Sequence, residues 1–258
     1  MKKLLSVTAS IFFATSLFAQ SLTGYDIAKR ANEIDTSKSA SYTSVMTLKS
    51  KKGATKVREI LTKSKEFADS RKSLVVFQSP EEVSGVAYLT FNYNNKGKDT
   101  DSWLYTPSMK KVRRINGSSR QDAFMGSDFT YEDMDGRGID RDDFNLLGEE
   151  NVDGVDCWKV EAIAKNSKEK NPRKVIWFRK DNYIAVKSEF YNKNNELTRK
   201  MSVSKISQID GIWTAGSIYI ETTATGHSTL MELKDVHYNT DIDDKIFTVT
   251  SMERGIQR

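Results

Sequence analysis

The chain carries one cysteine, three prolines and two histidines in 258 residues, and each scarcity closes off a class of protein. Cys157 alone forms no intramolecular disulfide, so no disulfide framework is available. Its neighbours Trp158 and Val160 set it in a strand-like stretch, where a lone cysteine acts as a small buried hydrophobe. His227 and His237 stand at metal-ligand spacing neither to each other nor to Cys157. Gly226-His227-Ser228 continues into Leu230 where a nucleophile elbow needs glycine, and no glycine-rich phosphate loop occurs. No catalytic role is therefore assigned, and neither a cofactor nor a metal is expected. With so little proline and no Ser/Pro-rich linker, residues 20–258 are expected to form a single β domain.

A strong excess of one charge is also missing. Forty Lys and Arg against thirty-five Asp and Glu give +5. Both signs are interspersed, which describes a solvated surface rather than a nucleic-acid footprint. The densest basic run is Lys110, Lys111, Arg113 and Arg114, read as a hairpin rim able to meet phosphate headgroups.

Long apolar runs are absent but for one. Lys2 and Lys3 precede the stretch Leu4 to Phe18, and Ala19 follows as the small residue before a cut. These are the three parts of a secretory signal peptide, expected over residues 1–19. The run is too short for a good membrane span. The expected location is the periplasm, with the leader removed.

What is present is period two. Thr23 with Asp26 forms a capping box for one early helix whose Ile27, Ala31 and Ile34 share a face. Beyond residue 40, strand-like stretches of alternating apolar residues or short apolar runs follow at Tyr42–Leu48, Leu74–Phe77, Val86–Phe91, Trp103–Tyr105, Cys157–Ala162, Val175–Phe178, Ile184–Phe190, Leu197–Val203, Ile212–Ile220 and Leu230–Val236. Turns are marked at Pro107, Asn192–Asn195 and Asp210-Gly211. Roughly ten strands with so few helices predict a curved antiparallel sheet covered on one side only. The run Phe124 to Phe144 is the most distinctive. Its acidic spacing fails as a calcium loop, because Arg137 and Phe144 occupy positions that need oxygen ligands. It reads as a surface loop.

Four motifs in order then carry a resemblance: Trp103-Leu104-Tyr105-Thr106-Pro107, Lys111-Val112-Arg113-Arg114-Ile115, Phe124 through Asp133 (FMGSDFTYED), and Asp243-Asp244-Lys245-Ile246-Phe247-Thr248. With them the chain resembles the LolA-like outer-membrane lipoprotein-sorting family, in its uncharacterised periplasmic branch. The resemblance implies an unclosed β-barrel of about eleven strands whose helices cover an apolar concavity for acyl chains. It implies a carrier of lipid or lipoprotein, working toward the outer membrane or beside an RND-type exporter. A sensing module of the envelope without a transport role is the alternative. Cavity candidates on this reading are Phe91, Trp103, Tyr105, Trp158, Trp177 and Trp213. Lys111, Arg113 and Arg114 are candidates for a headgroup, an exporter or an outer-membrane acceptor.

Overall fold

The computed structural model describes residues 22–95 and 98–254; the expected signal peptide lies outside them. Helix α1 (Gly24–Asn32) comes first. Six strands follow: β1 (Ser39–Lys49), β2 (Thr55–Glu66), β3 (Ser70–Ser79), β4 (Ala87–Tyr93), β5 (Asp101–Thr106) and β6 (Lys111–Ile115). Residues 116–141 then run through short 3₁₀ turns and a five-residue helix, α2 (Tyr131–Asp135). Seven more strands complete the sheet: β7 (Asp142–Val152), β8 (Val155–Ala164), β9 (Arg173–Arg179), β10 (Ala185–Tyr191), β11 (Leu197–Ile209), β12 (Ile212–Thr222) and β13 (His227–Tyr238). Helix α3 (Val249–Arg254) is last.

All thirteen strands lie in one sheet, ordered β6-β5-β4-β3-β2-β1-β13-β12-β11-β10-β9-β8-β7. Every pairing is antiparallel and joins sequence neighbours, except that β1 pairs with β13. Strands β6 and β7 are the two free edges, and residues 116–141 link them. The expected mainly β, unclosed, strongly curved sheet is present, with thirteen strands where about eleven were implied.

The curvature follows from two short contacts. Arg199 of β11 donates to Asp133 at 2.6 Å, and Tyr88 of β4 donates to Asp135 at 2.6 Å. Strands β4 and β11 stand six places apart in the order, roughly 29 Å on a flat sheet. Two residues of backbone reach at most about 7 Å, and strand side chains stand nearly perpendicular to their sheet. The sheet must curl around residues 117–135, which therefore lie on its inner face. Bulges supply the bend. They sit at Ser41/Thr43, Glu59/Ile60, Leu146/Gly148, Ala185/Lys187 and Phe190/Tyr191. The β11–β12 register runs unbroken past Lys205, whose φ is 54° and whose carbonyl would be 2.6 Å from a Cβ at Gly216, so only glycine fits there.

The main core joins Met46, Ile60, Phe77, Tyr88 and Ile220 of the inner face to Phe124, Phe129 and Tyr131 of the linking segment. Phe124 is fully buried, with its ring 5.5 Å from that of Tyr88 and 5.4 Å from that of Tyr131. On the outer face of β3–β5, Leu74, Ala87 and Leu89 pack under Ile242, Phe247 and Met252. At the other end, Ile27 of α1 packs on Val160 and Phe178. Its start is set by the expected capping box: Thr23 accepts from the Asp26 backbone N–H while the Asp26 carboxylate accepts from the Thr23 N–H. No described helix is long and apolar enough to cross a membrane.

Candidate functional site

The inner face is read most directly from strand register. Met46 stands opposite Met231, Met231 opposite Ile218, and Ile220 opposite Met201. Ile220 is fully buried, but Met201, Ile218 and Leu233 are only half-buried, as are Met125 and Met134 on the linking segment. The result is one apolar surface, built from both the sheet and the segment that crosses it, and left partly uncovered. Three of its five members are methionines, whose unbranched and polarizable side chains adapt to irregular apolar partners.

Carboxylates pin the linking segment to the sheet. Asp128 accepts from Thr222 at 2.5 Å and from Thr229 at 2.7 Å, and its other contact is His227 Nδ1 at 2.6 Å. Asp133 takes Arg199 while its second role is to cap α2, accepting from the Thr130 N–H at 2.7 Å. Burial pushes the Asp133 pKa up, but Arg199 and the Thr130 bonds outweigh it and hold it below the ordinary value. Asp135 faces Tyr88 and Arg120, and here burial prevails, lifting it to about 6. The Tyr88 hydroxyl is raised in turn, first by burial and then by the Asp135 charge.

Just beyond α2, Arg137 meets Asp142 at 2.6 Å, Glu132 at 2.8 Å and Glu169 at 3.3 Å. Burial alone would depress its guanidinium; the Asp142 hydrogen bond and the three carboxylates reverse that and raise it. The acidic run that failed as a calcium loop thus works as a set of anchors. It is an ordered part of the inner face, not the surface loop expected of it.

The sequence-derived cavity candidates are distributed rather than gathered. Phe91, Trp103 and Tyr105 pack against the outer cluster of Leu89 and Phe247. Trp177 is 2% exposed in a second outer cluster with Cys157 and Val175. Lys187 and Lys159 lie over its ring at 4.1 and 5.0 Å. Trp158 stacks on Tyr183 at 5.0 Å beside α1, and Trp213 is half-buried next to the Asp210-Gly211 turn. Lys111, Arg113 and Arg114 are all exposed on edge strand β6, but on both of its faces: Arg113 stands opposite the inner Leu104 and Arg114 opposite the outer Trp103, paired to Asp101.

A family model described as an uncharacterized protein matches residues 69–254. A crystal structure of a DUF1329 family protein from Desulfovibrio piger is 35% identical, covering 89% of this chain and 97% of that one, with a TM-score of 0.84. The chain belongs to the DUF1329 family. An outer membrane lipoprotein-sorting protein domain from Vibrio parahaemolyticus is 29% identical to this DUF1329 chain, over 90% of it and 98% of the other, with a TM-score of 0.83. A LolA superfamily protein from Nitrosomonas europaea shares the fold at 21% identity, 89% and 99% coverage and a TM-score of 0.70. No curated protein sequence matches the chain.

Sequence reasoning on this DUF1329 chain favoured the largest aromatics and passed over the half-buried surface; of those aromatics Phe91, Trp103, Tyr105 and Trp177 pack in the outer clusters. Met201 and Ile218 did stand in recognised strands, but period two cannot say which of two faces is inner. His227 is paired with Asp128, and no local signal foretells a contact across ninety-nine positions.

Proposed function

We propose that this chain is a periplasmic carrier that holds the acyl chains of a lipid or lipoprotein on the inner face of its sheet. The observation that carries the reading is the apolar surface of Met125, Met134, Met201, Ile218 and Leu233, half-buried inside a curved, unclosed sheet. The likeness to a lipoprotein-sorting domain along nearly the full length of both chains supports it. Binding of this kind needs no covalent chemistry, because each acyl CH₂ removed from water contributes about 0.8 kcal/mol. Half-buried methionines can repack around chains of different length. The exposed cationic edge of Lys111, Arg113 and Arg114 suits contact with an anionic membrane surface or with an exporter or acceptor at which cargo is exchanged. Trp158, beside α1, flanks the same side of the sheet.

Two adjacent residues test this. Ile218 faces inward and Tyr219 outward, where it is 37% exposed. Binding of a fluorescent undecanoyl probe is measured for the wild type, Ile218→Asp and Tyr219→Asp, alongside native mass spectrometry of protein purified gently from the periplasm. The expected result is a co-purifying lipid or acylated protein, probe binding weakened at least about tenfold in Ile218→Asp, and no change in Tyr219→Asp. Bare protein, with a probe that binds neither or both variants as it binds the wild type, overturns the proposal.

A further inference from the structure

Because neighbouring strands run in opposite directions, their connections collect at the two ends of the sheet, and the two ends differ in charge. At one end lie the connections β1–β2 (50–54), β3–β4 (80–86), β5–β6 (107–110), β8–β9 (165–172), β10–β11 (192–196) and β12–β13 (223–226). They carry seven exposed lysines against three exposed carboxylates, Glu81, Glu82 and Glu196. Lys49, Lys56 and Lys111 add to the excess from the adjoining strand ends. At the opposite end each of the five connections holds an exposed aspartate: Asp69, Asp99, Asp153, Asp181 and Asp210.

The turns at the lysine end stand close together. A Cβ at Gly226 would lie 3.3 Å from the Lys51 side chain, and one at Gly85 would lie 3.1 Å from that of Pro107. Two apolar side chains break the polar surface there. Met109, at the tip between β5 and β6, is 61% exposed, and Val57, near the start of β2, is 52% exposed. These are the highest exposures of any large hydrophobic residue among the described ones, and neither residue joins a core cluster. The packing of the fold accounts for neither.

We infer that the lysine end of the sheet docks on an anionic phospholipid surface, with Met109 entering the headgroup layer and Val57 resting against it. The residue types select the partner. None of the six connections holds an arginine, the side chain suited to bidentate recognition of a fixed carboxylate or phosphate. Lysine is a mobile point charge, matched to a fluid array of negative headgroups. Exposed apolar side chains within a basic surface are removed from water at a lipid interface. The same interface repels the aspartates of the far end, so the two ends together fix which way the molecule faces. This contact extends the cationic edge of the carrier reading to a whole end of the sheet, and it stands whether or not an acyl chain is held.

Co-sedimentation of protein purified from the periplasm is measured with vesicles of phosphatidylethanolamine and phosphatidylglycerol, and with phosphatidylcholine vesicles, at low and high salt. Lys51→Glu/Lys110→Glu is compared with Lys38→Glu/Lys245→Glu, which makes the same change of charge at the opposite end, and with Met109→Ser. Circular dichroism and undecanoyl-probe binding report on folding and on the acyl surface. The expected result is binding to the anionic vesicles alone, reversed by salt. It is weakened at least about tenfold in Lys51→Glu/Lys110→Glu and roughly threefold in Met109→Ser, and unchanged in Lys38→Glu/Lys245→Glu, with the acyl probe unaffected. No binding to anionic vesicles, equal binding to phosphatidylcholine, or equal losses in the two double variants overturns the inference. So does wild-type binding by Met109→Ser, or salt-sensitive end-to-end association of the protein in place of vesicle binding. A wild type that binds vesicles but no acyl probe overturns the carrier reading alone.

Discussion

The two flanks of the sheet are built from similar strands yet are covered very differently. Around β2–β5 both faces are occupied: Phe124, Phe129 and Tyr131 fill the inside, and Ile242, Phe247 and Met252 close the outside. Around β9–β12 the inner face is covered by the linking segment where Asp133 meets Arg199 and Asp128 meets Thr222, and by α1 at the far end, while the outer cluster of Trp177 is roofed by lysine stems. One flank is closed on both faces; the other leaves apolar side chains only half-buried. The half-buried Met201 and Ile218 stand on that second flank, and Leu233 beside it. Coverage, more than strand composition, separates the part that holds the fold from the part available to a ligand.

The sharpest way to break this contrast is at the anchor linking the flanks. Arg137→Ala leaves the buried Asp142 without its cation, and Glu132 and Glu169 with only Arg141, 3.5 Å from each. A loss of about 3–5 kcal/mol is expected, read as a fall in the urea midpoint at unchanged slope. Phe247→Ala attacks the covered flank from outside. It removes a side chain 1% exposed, in edge contact with Phe67 at 5.8 Å, and is expected to cost about 3 kcal/mol. A similar cost from Met201→Ala would erase the distinction between flanks. The expected cost there is about 1 kcal/mol, because Met201 is already partly in water.

The Asp135 contact gives a pH signature. Burial, against Tyr88 and Arg120, raises this carboxyl from 3.8 to about 6, so between those values the folded protein holds a proton that the unfolded chain releases. Stability from this group is therefore fully present below about pH 4 and is lost as pH rises through about 6. The difference in urea midpoint between wild type and Asp135→Asn should change across pH 4–6 and stay constant above pH 7. A difference that is flat throughout would show that the carboxyl is not held in a desolvated site.

Ten of the thirteen strands announce themselves by alternation or by a short apolar run, and the three that do not are short of apolar residues for physical reasons. In β2 the buried inner positions are Ile60, Thr62 and Ser64, so its alternation contrasts small polar residues with charged ones and hides from a hydrophobicity pattern. Strands β6 and β7 are the sheet edges. They carry Lys111, Arg113 and Arg114 on one and Asp142, Asp143, Glu149 and Glu150 on the other, as edges must to discourage pairing with other chains. The first helix was legible because its cap is local. The sheet contacts of Asp128, Asp133 and Asp135 were not, because those partners come from β4, β11, β12 and β13; only the Thr130–Asp133 cap and the pairs of Arg137 with Glu132 and Asp142 are local.

The pairing of β1 with β13 also has a consequence in time. Every other strand pair joins neighbours in the chain, so β1–β6 and β7–β13 can each zip up from local hairpins as soon as they are made. The seam between them requires Met46 to find Met231 across nearly the whole chain, and loop-closure entropy makes that the late step. Until it closes, the facing sides of β1 and β13 are two open strand edges. The most vulnerable moment of folding falls there, when two finished half-sheets are waiting for each other.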